Sequence, residues 1–259
     1  MDIAYIAAGF FVGGLVGLTG VGGGSLMTPL LIFGFGVPPL TAVGTDLVFA
    51  ALTKASGVVS HWRLKHIRGS LVALLLLGSA PSAILSLTLL DHMQDDIVRV
   101  EGLIHVMLGV ALIMTAVSLV WRGRVQALGY AVKRNWPGVF RLRPLLTVLL
   151  GCVLGILVPV SSIGAGALGA AALMLLYPGM PTRRIVGTDL AHAVPLTAIA
   201  GIGHWQMGSV DPALLSQLLM GSLPGIWLGT HLGSRVPERF MRPTLAGMLM
   251  LIGVKFITV

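Results

Sequence analysis

Long apolar stretches without charged residues constrain this chain more than any other feature of its sequence. Several of them reach 18 residues or more, the length that an α-helix needs to cross the hydrocarbon core of a bilayer. Of the 259 residues, 56% are hydrophobic and only 10% are charged, whereas charged residues make up about 25% of an average soluble domain. The sequence therefore predicts an all-α polytopic membrane protein surrounded by the lipid bilayer.

The pentapeptide Val-Gly-Thr-Asp-Leu occurs twice, at 43–47 and at 186–190. The offset of 143 residues that separates Asp46 from Asp189 also aligns His-Trp at 61–62 with His-Trp at 204–205. Matches that recur at one fixed offset indicate an internal duplication. We predict two repeats, residues 1–121 and 144–259, joined by a basic linker at 122–143.

Each half begins with an apolar segment that small residues interrupt. Residues 3–35 are broken by Gly20-Val21-Gly22-Gly23-Gly24-Ser25, and residues 144–178 are broken at 159–166. Consecutive glycines are unfavourable inside a helix, so each segment is predicted to be a hairpin or a broken helix. Three further transmembrane helices are predicted in each half, at 41–62, 69–90 and 102–121 and at 185–205, 213–231 and beyond 242.

Basic residues lie between the apolar spans, in clusters at 63–68, 122–143, 183–184 and 235–242. We attribute the net charge of +8 to cytoplasmic loops that follow the positive-inside rule, and not to binding of nucleic acid. All four clusters reach the cytoplasm only if the two broken segments each return to the side where they began. The halves then have opposite orientations, and such inverted repeats are typical of secondary transporters.

The two breaks are candidate anion-binding sites. A glycine turn that leads into a helix exposes backbone N–H groups at the positive end of the helix dipole, which suits a negative charge. With inverted halves, both turns would reach one pocket from opposite sides. The alternative is close packing of small residues between helices. The candidate residues of the breaks are Gly22, Gly23, Gly24, Ser25, Ser162, Gly164 and Gly166.

Asp46 and Asp189 place a carboxylate at equivalent positions in two apolar spans. A charged aspartate at the centre of a bilayer costs about 2.5–3.5 kcal/mol on insertion scales, so such residues usually face a cavity or a partner. They are candidates for proton coupling or for contact with the substrate. The alternative is that each aspartate caps the start of its own helix.

Lys54 and His192 are candidate partners of these acids. Lys54 follows Asp46 by eight residues, a little over two helical turns. It could neutralise Asp46, attract an anion, or extend to the membrane surface. His192 follows Asp189 by three residues and is expected to form either an Asp–His proton pair or a simple buried hydrogen bond.

The remaining histidines and the cysteine predict no metal or cofactor. His61 and His204 each precede a tryptophan near the end of a span, and we expect them in the aromatic belt at the membrane–water interface, with proton handling as the alternative. Cys152 is the only cysteine, so the chain has no disulfide and no cysteine-based metal site. No histidine spacing matches a metal site.

The glycine break followed by Pro29, the Val-Gly-Thr sequence of both halves and the His-Trp ends of the spans together resemble the TauE/SafE sulfite exporter family of membrane permeases. The resemblance covers nearly the whole chain. It implies transport of small sulfur-containing anions, such as sulfite or organosulfonates, in the bacterial inner membrane. It also implies a pocket lined by the residues of the two breaks together with Gly44, Thr45, Gly187 and Thr188.

We therefore expect a secondary transporter that is linked to protons through Asp46, Asp189 or His192 and that is not an enzyme. Two alternatives stay open: an anion channel, and an intramembrane enzyme with the two aspartates as a catalytic dyad. A dyad requires carboxylates close enough to share a proton. The sequence leaves open the direction of transport and whether the protein forms a homo-oligomer.

Overall fold

The computed structural model describes residues 3–19, 24–93, 96–135, 138–233 and 238–258, and these ranges are helical with short connections and no strand. The first half contains α1 (Ile3–Thr19), α2 (Gly24–Phe35), α3 (Pro39–Arg63), α4 (Gly69–His92) and α5 (Ile97–Val120). The connection between the halves contains α6 (Arg122–Asn135) and a 3₁₀ turn (Val139–Leu142). The second half contains α7 (Arg143–Ser161), α8 (Ala167–Leu176), α9 (Thr182–Gln206), α10 (Pro212–Gly233) and α11 (Glu238–Thr258).

Within the described residues, the helices α3, α4, α5, α7 and α9 are long and apolar enough to cross a membrane. Their side chains are arranged as lipid requires: on α4, Leu77, Ile84 and Leu89 are more than half exposed, whereas Ser79 is fully buried. Within these helices the backbone hydrogen bonds are mostly internal, as a membrane-spanning segment requires, although Pro81, Pro159 and Pro195 supply no N–H. The prediction of an all-α polytopic membrane protein is confirmed.

The helices α2 and α8 are too short to cross a bilayer. They have 12 and 10 residues, which corresponds to lengths of about 18 and 15 Å, against ~30 Å for the hydrocarbon core. Each folds back along the helix before it. The ring centroids of Tyr5 in α1 and Phe35 at the end of α2 are 4.8 Å apart, and the hydroxyl oxygens of Thr147 in α7 and Tyr177 after α8 are 2.8 Å apart. Both broken segments therefore return to the side on which they begin.

The equivalent helices α3 and α9 pack against each other and run in opposite directions. The close approaches pair residue 44 with 204, 48 with 201, 57 with 190, and 61 with 187. Residue numbers thus rise along α3 as they fall along α9. Two equivalent membrane helices that run antiparallel are the arrangement that an inverted repeat requires.

Each threonine of the duplicated motif binds the backbone of the other half. Thr45 Oγ1 accepts a hydrogen bond from the N–H of Asp211, just before α10, and Thr188 Oγ1 accepts one from the N–H of Arg68, just before α4. Both bonds are 3.1 Å long. They are equivalent, because the repeat offset of 143 residues separates Thr45 from Thr188 and Arg68 from Asp211. The helices α1 and α10, and likewise α4 and α7, also pack across the halves. The halves are therefore interlocked.

Basic residues gather at one end of the molecule. Arg68, Lys133, Arg143 and Arg184 surround a single cavity there, although they come from three basic clusters that are far apart in the sequence. Asp211 lies beside Thr45, near the start of α3 and therefore at the opposite end from the start of α9. Three of the four clusters thus share one face, as the positive-inside rule predicts.

Candidate functional site: the turn between α7 and α8

Residues 162–166 form the turn that interrupts the second apolar segment. Ser162 ends α7 with a φ of 56°, and its N–H donates to Val158 O at 2.8 Å. Gly164 and Gly166 have φ values of 122° and 135°, which residues with a side chain rarely adopt. Gly166 immediately precedes α8. The glycines that the sequence singled out are therefore the residues that allow this turn.

Three charged side chains converge on the turn. The ammonium of Lys54 donates to the carbonyl oxygen of Ala165 at 3.0 Å. The backbone N–H of Gly166 faces the carboxylate of Asp189, and the hydroxyl of Ser162 faces the carboxylate of Asp46. Two of these charged residues come from α3 and one comes from α9. Both halves thus build the site, and each contributes one of the duplicated aspartates.

Several polar atoms at the turn have no hydrogen-bond partner within the described residues. Asp46 is fully buried and accepts a hydrogen bond from Thr28 Oγ1 of α2 at 2.5 Å, but its Oδ1 has no partner. The hydroxyl of Ser162, which faces the same carboxylate, and Oδ1 of Asp189 are also without one. Buried polar groups are almost always paired. These three atoms are therefore available to a bound ligand or a proton.

Along the axis of α3, Lys54 lies between the levels of the two aspartates. Asp189 lies opposite residues 57–61 of α3, whereas Asp46 precedes Lys54 on α3 itself. The ammonium interacts electrostatically with both carboxylates. Two carboxylates and one ammonium carry an excess negative charge when all three are ionised, which is unfavourable in a buried environment.

The positions of the aspartates remove two of the alternatives. Each is the eighth residue of its helix, since α3 begins at Pro39 and α9 at Thr182, so neither caps the start of its own helix. Their levels along α3 differ by more than ten residues, or on the order of 15–20 Å. Carboxylates this far apart do not share a proton, so they do not form a catalytic dyad.

His192 and His204 each make one buried hydrogen bond through Nε2. His192 Nε2 pairs with Ser79 Oγ of α4 at 2.8 Å. Of the two roles expected for His192, this is the simple buried hydrogen bond and not the Asp–His proton pair. His204 is fully buried, and its Nε2 lies 2.9 Å from Pro159 O. The placement of His204 in the interfacial belt was therefore wrong, although Trp62 and Trp205 beside the two motif histidines are exposed.

The other predicted site residues lie elsewhere or beyond the described ranges. Gly44 and Gly187 lie against His204 and His61, and Thr45 and Thr188 bind the backbone of the opposite half, so all four belong to the contact between the halves. Gly24 and Ser25 are the first two residues of α2. Gly22 and Gly23 lie outside the described residues. Thr28 is the site residue that no motif indicated.

An all-helical membrane protein with charged side chains buried at the break of a half-crossing helix has features typical of membrane transporters. Comparison with known families agrees with this class. The family model described as "Sulfite exporter TauE/SafE" matches residues 5–256. The chain therefore belongs to the TauE/SafE sulfite exporter family.

Individual relatives support the same assignment. "Probable membrane transporter protein YjnA" of Bacillus subtilis (strain 168) is 42% identical over 262 residues, which cover 99% of this chain and 100% of that protein. "Probable membrane transporter protein YunE" of the same organism is 34% identical over 275 residues, covering 98% and 97% of the two chains. "Probable membrane transporter protein MJ0441" of Methanocaldococcus jannaschii is 24% identical over 264 residues, covering 96% and 92%.

No solved structure matches the chain. The family and its relatives identify a multi-pass membrane transporter and not an enzyme.

Proposed function

We propose that the protein is a secondary transporter of small sulfur-containing anions, such as sulfite or organosulfonates, and that transport is linked to protons. The family description supports this substrate class. The mechanism rests on one observation: Lys54, Asp46 and Asp189 converge on the turn between α7 and α8.

The anion binds at the turn, where three kinds of group favour a negative charge. Lys54 supplies a cation, the start of α8 supplies backbone N–H groups and the positive end of a helix dipole, and Ser162 supplies a hydroxyl without a partner. In the present structure the carboxylate of Asp189 lies at the start of α8, and the ammonium of Lys54 donates to the carbonyl oxygen of Ala165. An incoming anion therefore competes with both of these contacts.

Proton coupling follows from the charges at the site. A carboxylate displaced from the start of α8 is left buried beside an anion, which is unfavourable unless it takes up a proton. Protonation of Asp189, and of Asp46 on the other side of Lys54, leaves the ammonium to neutralise the anion. Occupancy of the site by the anion and by protons is therefore linked. His192 of α9 is hydrogen-bonded to Ser79 of α4, so its role is to hold these two helices together.

The two halves alternate access to the site as inverted repeats, 1–121 and 144–259, with 122–143 as their connection. Three observations support this arrangement: the antiparallel packing of α3 and α9, the two folded-back segments, and the reciprocal threonine contacts. Gly44, Thr45, Gly187 and Thr188 act at this contact between the halves. Gly24 and Ser25, the first two residues of α2, contribute to the anion site from the first half.

Flux into proteoliposomes tests the proposal. Sulfite, thiosulfate, sulfoacetate and sulfate are offered at two external pH values, with the membrane potential clamped at zero. A proton-linked transporter accumulates at least one of these anions against its gradient when a pH gradient is imposed. Equilibration without accumulation would instead show an anion channel, and no flux of any sulfur anion would contradict the substrate class.

A further inference from the structure

A cavity of about 220 Å³ opens at the basic end of the molecule. Its lining includes Arg68, which precedes α4, Lys133 of α6, Arg143 at the start of α7 and Arg184 in the first turn of α9. Four separate elements thus each direct one cation to the same space. None of the described residues that line the cavity is acidic, and the sequence contains no aspartate or glutamate from 102 to 188.

We propose that this cavity binds a tetrahedral oxyanion group, either of a free sulfate- or phosphate-like anion or of an anionic phospholipid headgroup. Guanidinium groups bind such oxyanions through two parallel hydrogen bonds, which gives both affinity and orientation. Basic pockets between membrane helices are also typical sites for lipid phosphates. Four cations around one space repel each other unless an anion lies among them.

Two of the cationic positions are held in place by neighbouring groups. The guanidinium carbon of Arg143 lies 5.5 Å from the centre of the Tyr177 ring, and the Tyr177 hydroxyl is 2.8 Å from Thr147 Oγ1. The backbone of Arg68 is fixed by its hydrogen bond to Thr188. Preorganised donors lose less entropy when a ligand binds.

The positive-inside rule alone does not account for this cavity. The rule requires cations near the ends of spans, and the exposed Arg63 and Arg183 satisfy it at the same end of the molecule. The repeated fold does not create the cavity either. At the opposite end, the residues equivalent to Arg68 and Arg184 are Asp211 and Thr41. The basic lining is therefore a property of this end alone.

The cavity is separate from the proposed transport site. Tyr177 lies just after the last residue of α8, and the turn at 162–166 lies before its first residue. The two sites are thus at opposite ends of a helix about 15 Å long. A ligand in the cavity needs no access to Lys54 or the aspartates, so the inference does not depend on the identity of the transported anion.

A matched pair of variants tests the cavity. Arg183 and Arg184 are adjacent, exposed residues of α9, but only Arg184 lines the cavity. R183Q and R184Q therefore change the net charge equally. The purified protein is placed in nanodiscs of neutral phosphatidylcholine, and binding of inorganic sulfate and of phosphate is measured by isothermal titration. A parallel series of nanodiscs contains phosphatidylglycerol, and its stabilising effect on thermal unfolding is measured.

We expect R184Q to weaken binding by about tenfold or more, since a charge-assisted hydrogen bond is worth about 1.5–3 kcal/mol, and R183Q to leave it unchanged. An effect on sulfate or phosphate identifies a free anion, and an effect confined to phosphatidylglycerol identifies a lipid headgroup. If R184Q does not fold, R68Q is compared with R63Q in the same way. Equal effects of both members of a pair, or no binding of any probe, would overturn the proposal.

Discussion

Gly169, in the first turn of α8, lies directly against the carboxylate of Asp189 on α9. A Cβ at this position would overlap with Asp189 Oδ1. The equivalent residue of the first half is Leu26, and there Asp46 pairs with Thr28 of the same helix as Leu26. Glycine at 169 is therefore what allows Asp189 to reach the start of α8.

The substitution G169A is expected to reduce anion transport strongly, because the added methyl occupies the space at the start of α8 that Asp189 Oδ1 fills and that the incoming anion is proposed to take over. The measurement is flux into proteoliposomes at equal amounts of reconstituted protein. G102A is the control, because nothing lies within 4 Å of a Cβ built on Gly102. Full activity of G169A would show that the position of Asp189 does not matter to transport.

D189N is expected to remove most of the pH dependence of transport. Under the proposed coupling, Asp189 must be neutral when the anion binds, so wild-type flux rises as pH falls. Asparagine is neutral at every pH, and the variant should keep its flux at alkaline pH. The profile of initial rate against pH measures this effect, with E101Q as a control for loss of a carboxylate away from the site. A variant that keeps the wild-type profile would assign the coupling to another group.

K54A is expected to lower the apparent affinity for the anion by about tenfold or more, because it removes a charged donor at a buried site. The loss should persist at low pH, where protonation of the aspartates does not replace the cation. K65A, which removes an exposed lysine beyond α3, serves as the control. The concentration dependence of flux gives the measurement, and an unchanged apparent KM would exclude Lys54 from the anion site.

T188V is expected to destabilise the protein by about 1 kcal/mol, a typical value for loss of a helix-capping hydroxyl, because the N–H of Arg68 loses its acceptor. T45V should have a similar effect at the other end of the contact. T53V is the matched control, since the hydroxyl of Thr53 binds only carbonyls of its own helix. Thermal unfolding in detergent measures the difference. Equal melting temperatures for T188V and T53V would contradict the capping role.

Pro38 and Pro181 are equivalent exposed residues at the starts of α3 and α9, separated by the repeat offset. In a background with Cys152 replaced by alanine, P38C is expected to react with a membrane-impermeant maleimide only from outside the cell. P181C should react only from the cytoplasm, because the equivalent helices run in opposite directions. Labelling of both from the same side would disprove the inverted arrangement.

The spans and breaks of this fold are readable from the sequence because lipid permits only one kind of spanning element in a chain of this type. The predicted spans at 41–62, 69–90 and 185–205 match α3, α4 and α9 within a few residues at each end. The break predicted at 159–166 lies at 162–166, because α7 continues to Ser161 and the chain turns at Gly164 and Gly166, whose conformations other residues rarely adopt. The helix α6 was not predicted: Val125, Leu128 and Val132 recur at helical spacing, but the segment is too short and too basic to resemble a span.

Contacts between the halves were beyond the reach of sequence patterns. A repeat offset shows which residues are equivalent, but not which residues of one copy touch the other. The resemblance implies that Thr45 and Thr188 line the anion pocket, and the structure adds that their hydroxyls accept hydrogen bonds from the backbone of the opposite half. His204 was misplaced for the same reason, since its partner Pro159 belongs to a helix that is remote in the sequence.

The contact between α1 and α10 has a consequence for how the protein is made. Gly13 and Gly17 of α1 let its backbone approach α10 near Ser222 and Thr230, yet α10 is synthesised only when most of the chain has already left the ribosome. Until then, the glycine-rich side of α1 has no α10 to pack against. Assembly therefore has to finish after translation, with the last helices inserting beside the first and completing the earlier half.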